Sequence, residues 1–299
     1  MTVQPAKAVA AFPVPKPRDK PAFVIRTDGE AIEIAHEVAA ILAKGAAERD
    51  RERKLPYAEM DLLSDRGLLA ITVPEEFGGA GVATGTLAEV IAIISAADGS
   101  IGQIPQNHFF MLEGLRLQGT PEQKQFFYKA ILAGERLGNA LSEAGTRTAQ
   151  DHATRITRDG DGFRLNGRKF YSTGALFAHW IAVIANNDDG KSTLAIVPRE
   201  TEGITIVDDW SGFGQRTTGS GTTILDNVAV HPFSVVPFHL LFETPSPMGP
   251  HAQIMHAAVD QGIARGAFAE AVHFVRQYTR PWKESGVEHG YEDPHIITD

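Results

Sequence analysis

The chain contains no cysteine. Disulfide staples, thiolate nucleophiles, iron–sulfur clusters and Cys-type zinc sites are therefore excluded, and a reducing cytoplasm is the compartment this composition fits. Positive charge is scarce as well: 28 Lys and Arg stand against 37 Asp and Glu, a formal charge of -9. That balance argues against nucleic acid as the main partner, because phosphate binding needs clustered cations. Long apolar runs are missing too. EVIAIISAA (89–97) and WIAVIA (180–185) fall far short of the roughly 20 residues a membrane span needs. The opening MTVQPAKAVAAFPVPKPRDKP holds too many prolines for a secretory signal, and residues 1–25 read as a flexible arm.

Several catalytic templates also fail. His36-Glu37 lacks the second histidine of a zinc helix, and His251 and His256 stand five apart on different helix faces, so no metal site is expected. No GxSxG elbow anchors serine hydrolase chemistry. GDGFRLNGRK has phosphate-loop glycines but Arg168 where that loop needs Lys, and it reads as a β-hairpin. GGAGVATG (78–85) puts Thr84 at the last glycine position of a dinucleotide fingerprint.

What is present is the composition of an ordinary globular protein, 43% hydrophobic and 22% charged. Residues 26–135 carry helical periodicity. A long amphipathic helix is expected over 27–53, with Thr27 and Glu30 in capping-box spacing. Shorter helices are expected near 57–67, 84–98 and 101–117, and over a Pro121 start that ends at Gly134; a strand-like run, LLAITV, reaches Pro74. From 136 to 240 the period becomes that of strands. Six or seven of them, with no helix between, predict a sandwich or barrel. Residues 241–299 return to one long helix, which cannot bury its apolar face alone.

Four short pieces are rich in glycine, hydroxyls and amides: LLAITVPEEFGGAG (68–81), NALSEAG (139–145), KFYSTGA (169–175) and DWSGFGQRTTGSGTT (209–223). Taken singly, each reads as turn chemistry rather than as a site.

Taken in order, they resemble the acyl-CoA dehydrogenase superfamily of flavoproteins over nearly the whole chain after the arm. The resemblance implies an α+β multidomain fold: an N-terminal all-α domain (26–135), a middle β-barrel or sandwich domain (136–240) and the beginning of a C-terminal helical bundle (241–299), whose remainder the chain lacks. NALSEAG falls where that family lines its flavin, with Ser142 as the hydroxyl residue. KFYSTGA falls on a second flavin segment, where Tyr171 replaces a tryptophan and Thr173 is expected to bond flavin N5 or O4.

The departures are informative. No Pro follows Glu143, and Thr146-Arg147-Thr148 replaces a GSD-like ending. DDWSGFGQR, RPWKESGVE and YEDPH are similar to the monooxygenase branch, that of the sulfur-acquisition oxidoreductases and dibenzothiophene monooxygenases. That branch implies reduced FMN supplied by a separate NAD(P)H-dependent reductase, O2 as co-substrate, a C4a-hydroperoxide, and a small organosulfur substrate. It also implies a cytoplasmic homodimer or homotetramer without nucleic acid or membrane. Implied catalytic residues are His108, Asn139 and Thr173; implied flavin contacts are Asn139, Ser142, Tyr171, Thr173, Trp210, Ser220 and, at the phosphate, Arg280. Without the resemblance, His108 reads as a structural helix histidine, Arg280 as a helix C-terminal cation, Trp210 as core, and Tyr171 and Thr173 as cross-strand residues. Two other functions stay open: an FAD-dependent acyl-CoA dehydrogenase, and a non-catalytic truncated subunit that associates with others.

Overall fold

The computed structural model describes residues 12–148 and 151–298. Its first half is helical: α1 (Asp28–Leu42), α2 (Ala46–Glu52), α3 (Tyr57–Asp65), α4 (Thr84–Ala97), α5 (Gly99–Gln103), α6 (Gln106–Gln118) and α7 (Pro121–Leu132). The start signals act as their chemistry requires. Thr27 accepts from the Glu30 amide, while the Glu30 carboxylate bonds the Arg26 amide, one residue outside the usual capping box. Thr120 and Gln123 complete a full capping box on α7.

Two expectations are corrected here. The single helix over 27–53 breaks at a 3-10 turn, Ala43–Gly45, because Gly45 leaves helical geometry before α2 begins. The strand expected through LLAITV is a 3-10 turn at Leu68–Ala70: Leu68, Leu69 and Ile71 are buried among helices, where no partner strand is available. Hydrophobic runs of this length do not by themselves distinguish the two. The arm is corrected in part. From Phe12 onward it lies on the body, with the Phe12 ring against Phe126, Phe233 and Trp180 and the Arg18 guanidinium on the Gly134 carbonyl and Asp65. Residues 1–11 lie outside the described residues.

The sheet comprises β1 (Leu137–Ala140), β2 (Arg155–Asp159), β3 (Gly162–Lys169), β4 (Trp180–Asn186), β5 (Ser192–Pro198), β6 (Ile204–Val207), β7 (Thr222–Val230) and β8 (Val235–Val236). Its order is β6-β7-β3-β2-β4-β5-β8, with β1 parallel to β4. One residue pair, Arg155 with Asn186, joins the two halves. Side chains from both halves, Ile156, Leu165 and Val228 with Ile181, Val183 and Ala195, share one core, as a barrel-like or sandwich domain requires. β4 is buried on both faces: Ile181, Val183 and Ala185 look into that core, while Trp180, Ala182 and Ile184 pack under α6 and α7.

A 31-residue helix, α8 (Met248–Tyr278), crosses α4, and α9 (Pro294–Thr298) follows. Gly262 and Gly266 make the crossing close. A Cβ on either would lie 2.3 Å from a carbonyl of α4, Ala92 or Ala96 respectively. Beyond Gly266 the helix leaves its support, and Phe268, Phe274 and Tyr278 are exposed.

Candidate functional site

Three segments meet at one end of the sheet: the end of β1, the turn after β3, and the loop before β7. The pairing of β3 with β7 sets Lys169 opposite Thr223, and the Ser172 amide bonds the Gly221 carbonyl. Asn139 joins the first segment to the second. Its amide bonds the Thr173 carbonyl, and its Nδ2 donates to the Tyr171 carbonyl at 3.0 Å. That contact fixes the orientation of the side-chain amide and leaves Oδ1 a buried acceptor without a partner.

Hydroxyls join the second segment to the third. Thr173 Oγ1 lies 2.7 Å from Ser220 Oγ, Ser220 donates to Thr218 Oγ1 at 2.8 Å, and Thr218 donates to the Gln215 carbonyl at 3.1 Å. The same carbonyl accepts the Trp210 indole N–H at 3.0 Å. Tyr171, 61% exposed, meets Trp210 edge to face at 6.0 Å. Two of the site's residues, Tyr171 (φ 51) and Gln215 (φ 45), hold left-handed backbone that non-glycine residues rarely adopt. Such conformations cost of order 1 kcal/mol or more and gather where a structure over-determines a working geometry.

The loop that opens with Ser142 is held by an ion pair. Lys169, fully buried, donates to Glu143 Oε1 at 2.6 Å and to the Leu141 carbonyl at 3.1 Å. Glu143 also accepts the amides of Ala153 and Thr154, and the Phe170 amide bonds the Ser142 carbonyl. Burial works to raise the Glu143 carboxyl, but the hydrogen bonds from Lys169, Thr154 and Ala153 outweigh it and hold it at about 2. Lys169 is a site residue that no motif marks, yet the sequence carries a signal for it: it ends a strand on the inward-facing side with Leu165, and a buried ammonium demands a carboxylate.

His108 and Arg280 are not brought to this cluster. His108 is buried on α6 with both ring nitrogens committed: Nδ1 accepts the Leu137 amide at 3.0 Å, so Nε2 carries the proton and donates to the Leu69 carbonyl at 2.7 Å. Burial pushes its pKa down to about 4. The imidazole thus braces the start of β1, two residues before Asn139, with both nitrogens engaged by the main chain. The Asp-Gly-Ser run before it is structural as well. Asp98 caps α5 and pairs with the buried Arg49. Arg280 is exposed past the end of α8. Ile263 of α8 lies over Gly99, whose carbonyl Gln215 Nε2 reaches, and Arg280 stands 17 residues further on, about 25 Å of mainly helical rise from Ile263. PEEFGGAG also stays outside, as a turn that closes on itself through Gly81 amide to Val73 carbonyl.

A cavity of about 1000 Å³ reaches Leu141, two residues beyond Asn139. Phe110, Leu141, Phe238, Phe242 and Met248 give it an apolar wall, and Asp151, His152 and Arg155 stand at its polar side.

The family models for the acyl-CoA dehydrogenase N-terminal and middle domains match residues 31–135 and 139–228. The dibenzothiophene monooxygenase of Rhodococcus qingshengii is 33% identical over 310 aligned positions, covering 99% of this chain and 72% of that protein. The chain belongs to the acyl-CoA dehydrogenase superfamily, in its monooxygenase branch. A probable FMNH2-dependent monooxygenase, SfnC, of Pseudomonas putida is 32% identical across 89% of this superfamily member and 67% of its own length. Among solved structures, FMN-bound TdsC from Paenibacillus sp. A11-2 superposes with a TM-score of 0.84 at 32% identity, over 90% of this chain and 70% of that one. No helix among the described residues is long and apolar enough to cross a membrane.

Proposed function

We propose that this chain is a two-component flavin monooxygenase that uses reduced FMN and O2 to oxygenate a small organosulfur compound. The observation that carries the reading is the cluster at the sheet end: Asn139, Thr173 and Ser220 gathered by hydrogen bonds beside an aromatic ledge of Tyr171 and Trp210. These groups fit an isoalloxazine. The unpartnered Asn139 Oδ1 and the Thr173 hydroxyl offer polar contacts to its edge, and Tyr171 and Trp210 offer apolar surface to its ring. The relatives named for dibenzothiophene, for FMNH2 and for bound FMN point the same way.

Reduced flavin supplies the electrons that activate O2. The protein's part is to hold the ring, keep water out and position the substrate. Thr173 and Asn139 hold the edge, and Ser142 lies on the flank of the loop that Glu143 anchors. The apolar wall of the cavity receives the sulfur compound and excludes water, while Arg155 orients a polar substituent. Arg280, about 25 Å of helical rise beyond Ile263, serves as a phosphate partner to flavin bound on another copy of the chain, where its guanidinium fork suits the oxyanion. Proton handling falls to groups other than His108.

The test supplies NADH, a flavin reductase, FMN and ¹⁸O2 with dibenzothiophene or an alkyl sulfinate. Mass spectrometry should find one ¹⁸O per turnover in the product. Anaerobic bleaching of bound FAD by an acyl-CoA, with no oxygenated product, would instead identify a dehydrogenase.

A further inference from the structure

The three hydroxyls of the cluster form a chain whose direction is fixed at one end. The Gln215 carbonyl has no proton to give, so Thr218, 3.1 Å away, must donate to it. Ser220, 2.8 Å from Thr218 Oγ1, then donates to Thr218, and Thr173, 2.7 Å from Ser220, donates to Ser220. Each hydroxyl has a single proton, and all three are spent inside the protein. The alternative acceptor for Thr173, the Tyr171 carbonyl at 3.4 Å, spends the same proton. What Thr173 presents outward is a lone pair. The terminator is firmly set: the Gln215 carbonyl sits on a left-handed residue (φ 45) and is shared with the Trp210 indole. Asn139 adds a second acceptor, because its Nδ2 faces the Tyr171 carbonyl and Oδ1 is unpaired.

We propose that this relay makes the site selective for the redox state of the flavin: Ser220 and Thr218 hold Thr173 as an acceptor, which favours FMNH2 over FMN. The inference rests on the flavin reading. The two redox states differ at N5, which carries a hydrogen in reduced flavin and only a lone pair in oxidised flavin. An acceptor at that position bonds the first and opposes the second. A site of this polarity takes up the reduced flavin from the reductase and releases it once oxidised, with no group on the protein changing protonation. Ser220 and Thr218 act through Thr173 and are positioning residues.

The experiment compares dissociation constants for FMN and for FMNH2, the latter under anaerobic conditions, in the wild type, Ser220→Ala and Thr218→Val. The wild type should bind FMNH2 at least tenfold more tightly. In Ser220→Ala the Thr173 proton loses its 2.7 Å acceptor and keeps only the long 3.4 Å contact to the Tyr171 carbonyl, so it is free to turn to the ligand, and the preference should fall at least tenfold, chiefly through tighter binding of FMN. By linkage, a tenfold fall lowers the midpoint potential of the bound flavin by about 30 mV for a two-electron couple. Thr218→Val, close to isosteric, cuts the relay one step further out and should move the preference the same way by less; it also serves if Ser220→Ala folds poorly. A preference unchanged in both variants, with FMNH2 still bound, overturns the relay and leaves the flavin reading standing. A wild type that binds neither form overturns both.

Discussion

At the sheet end each implied contact is tied to its neighbours: Asn139 to Tyr171 and Thr173, Thr173 to Ser220, Trp210 to Gln215, and the Ser142 loop to Lys169 through Glu143. At the far end of α8 the reverse holds. Phe268, Phe274, Tyr278 and Trp282 are exposed, and Arg280 forms no ion pair among the described residues. Two paired strands, β3 and β7, with the end of β1 tied to them through Asn139, deliver short polar side chains to one place with little freedom left to lose. An overhanging helix delivers its residues to a surface, where geometry depends on whatever packs there. The first region is pre-organised by its own chain; the second is not.

The sharpest way to break the first region is to remove one member of its buried pair. Glu143→Gln leaves the Lys169 ammonium buried without its counter-charge and should cost about 3–5 kcal/mol in urea denaturation. The wild type should also show an acid dependence that this variant lacks. The Glu143 carboxyl is held at about 2, below the ordinary 4.5, so its contribution is complete above pH 4.5 and is lost as pH falls towards 2. Next is the brace. His108→Leu orphans the Leu69 carbonyl and the Leu137 amide and should cost about 1–3 kcal/mol. Because the imidazole titrates near 4 in the fold and at 6.5 when unfolded, the unfolded chain takes the proton first. Wild-type stability should therefore decline between pH 6.5 and 4, by up to about 1.4 kcal/mol per pH unit from this group, and the slope should be shallower in the variant. Arg280→Ala is the smallest perturbation: unfolding within about 0.5 kcal/mol of wild type. Its effect should appear as weaker FMN affinity in self-associated protein and be absent from protein diluted to monomers.

Much of this was legible in the residues. The helical first half, the change of period at residue 136 and the long helix after Pro250 follow from spacing, because each element buries one face. The three site segments were legible as strand ends rich in hydroxyls. Other features escaped for physical reasons. LLAITV has the composition of a strand but neighbours only helices. The long first helix hid its break because helix-favouring Ala, Glu and Arg resume directly after Gly45. His108 drew a catalytic reading from its place in the chain, yet its two main-chain bonds come from Leu69 and Leu137, 39 and 29 residues away, which no local pattern encodes. The same holds for the Glu143–Lys169 pair, 26 residues apart. The relay direction needed the Gln215 carbonyl, a main-chain group that side-chain patterns do not display.

The account turns on Thr173 as the flavin contact of a self-organised site. The most direct measurement is anaerobic titration with FMNH2, followed through tryptophan fluorescence, in the wild type and in Thr173→Val, with thermal unfolding recorded on the same samples. The account predicts an affinity at least tenfold weaker in the variant, about 1.4 kcal/mol of binding, with nearly the same unfolding temperature. Equal affinities for FMNH2 in the two proteins would contradict it.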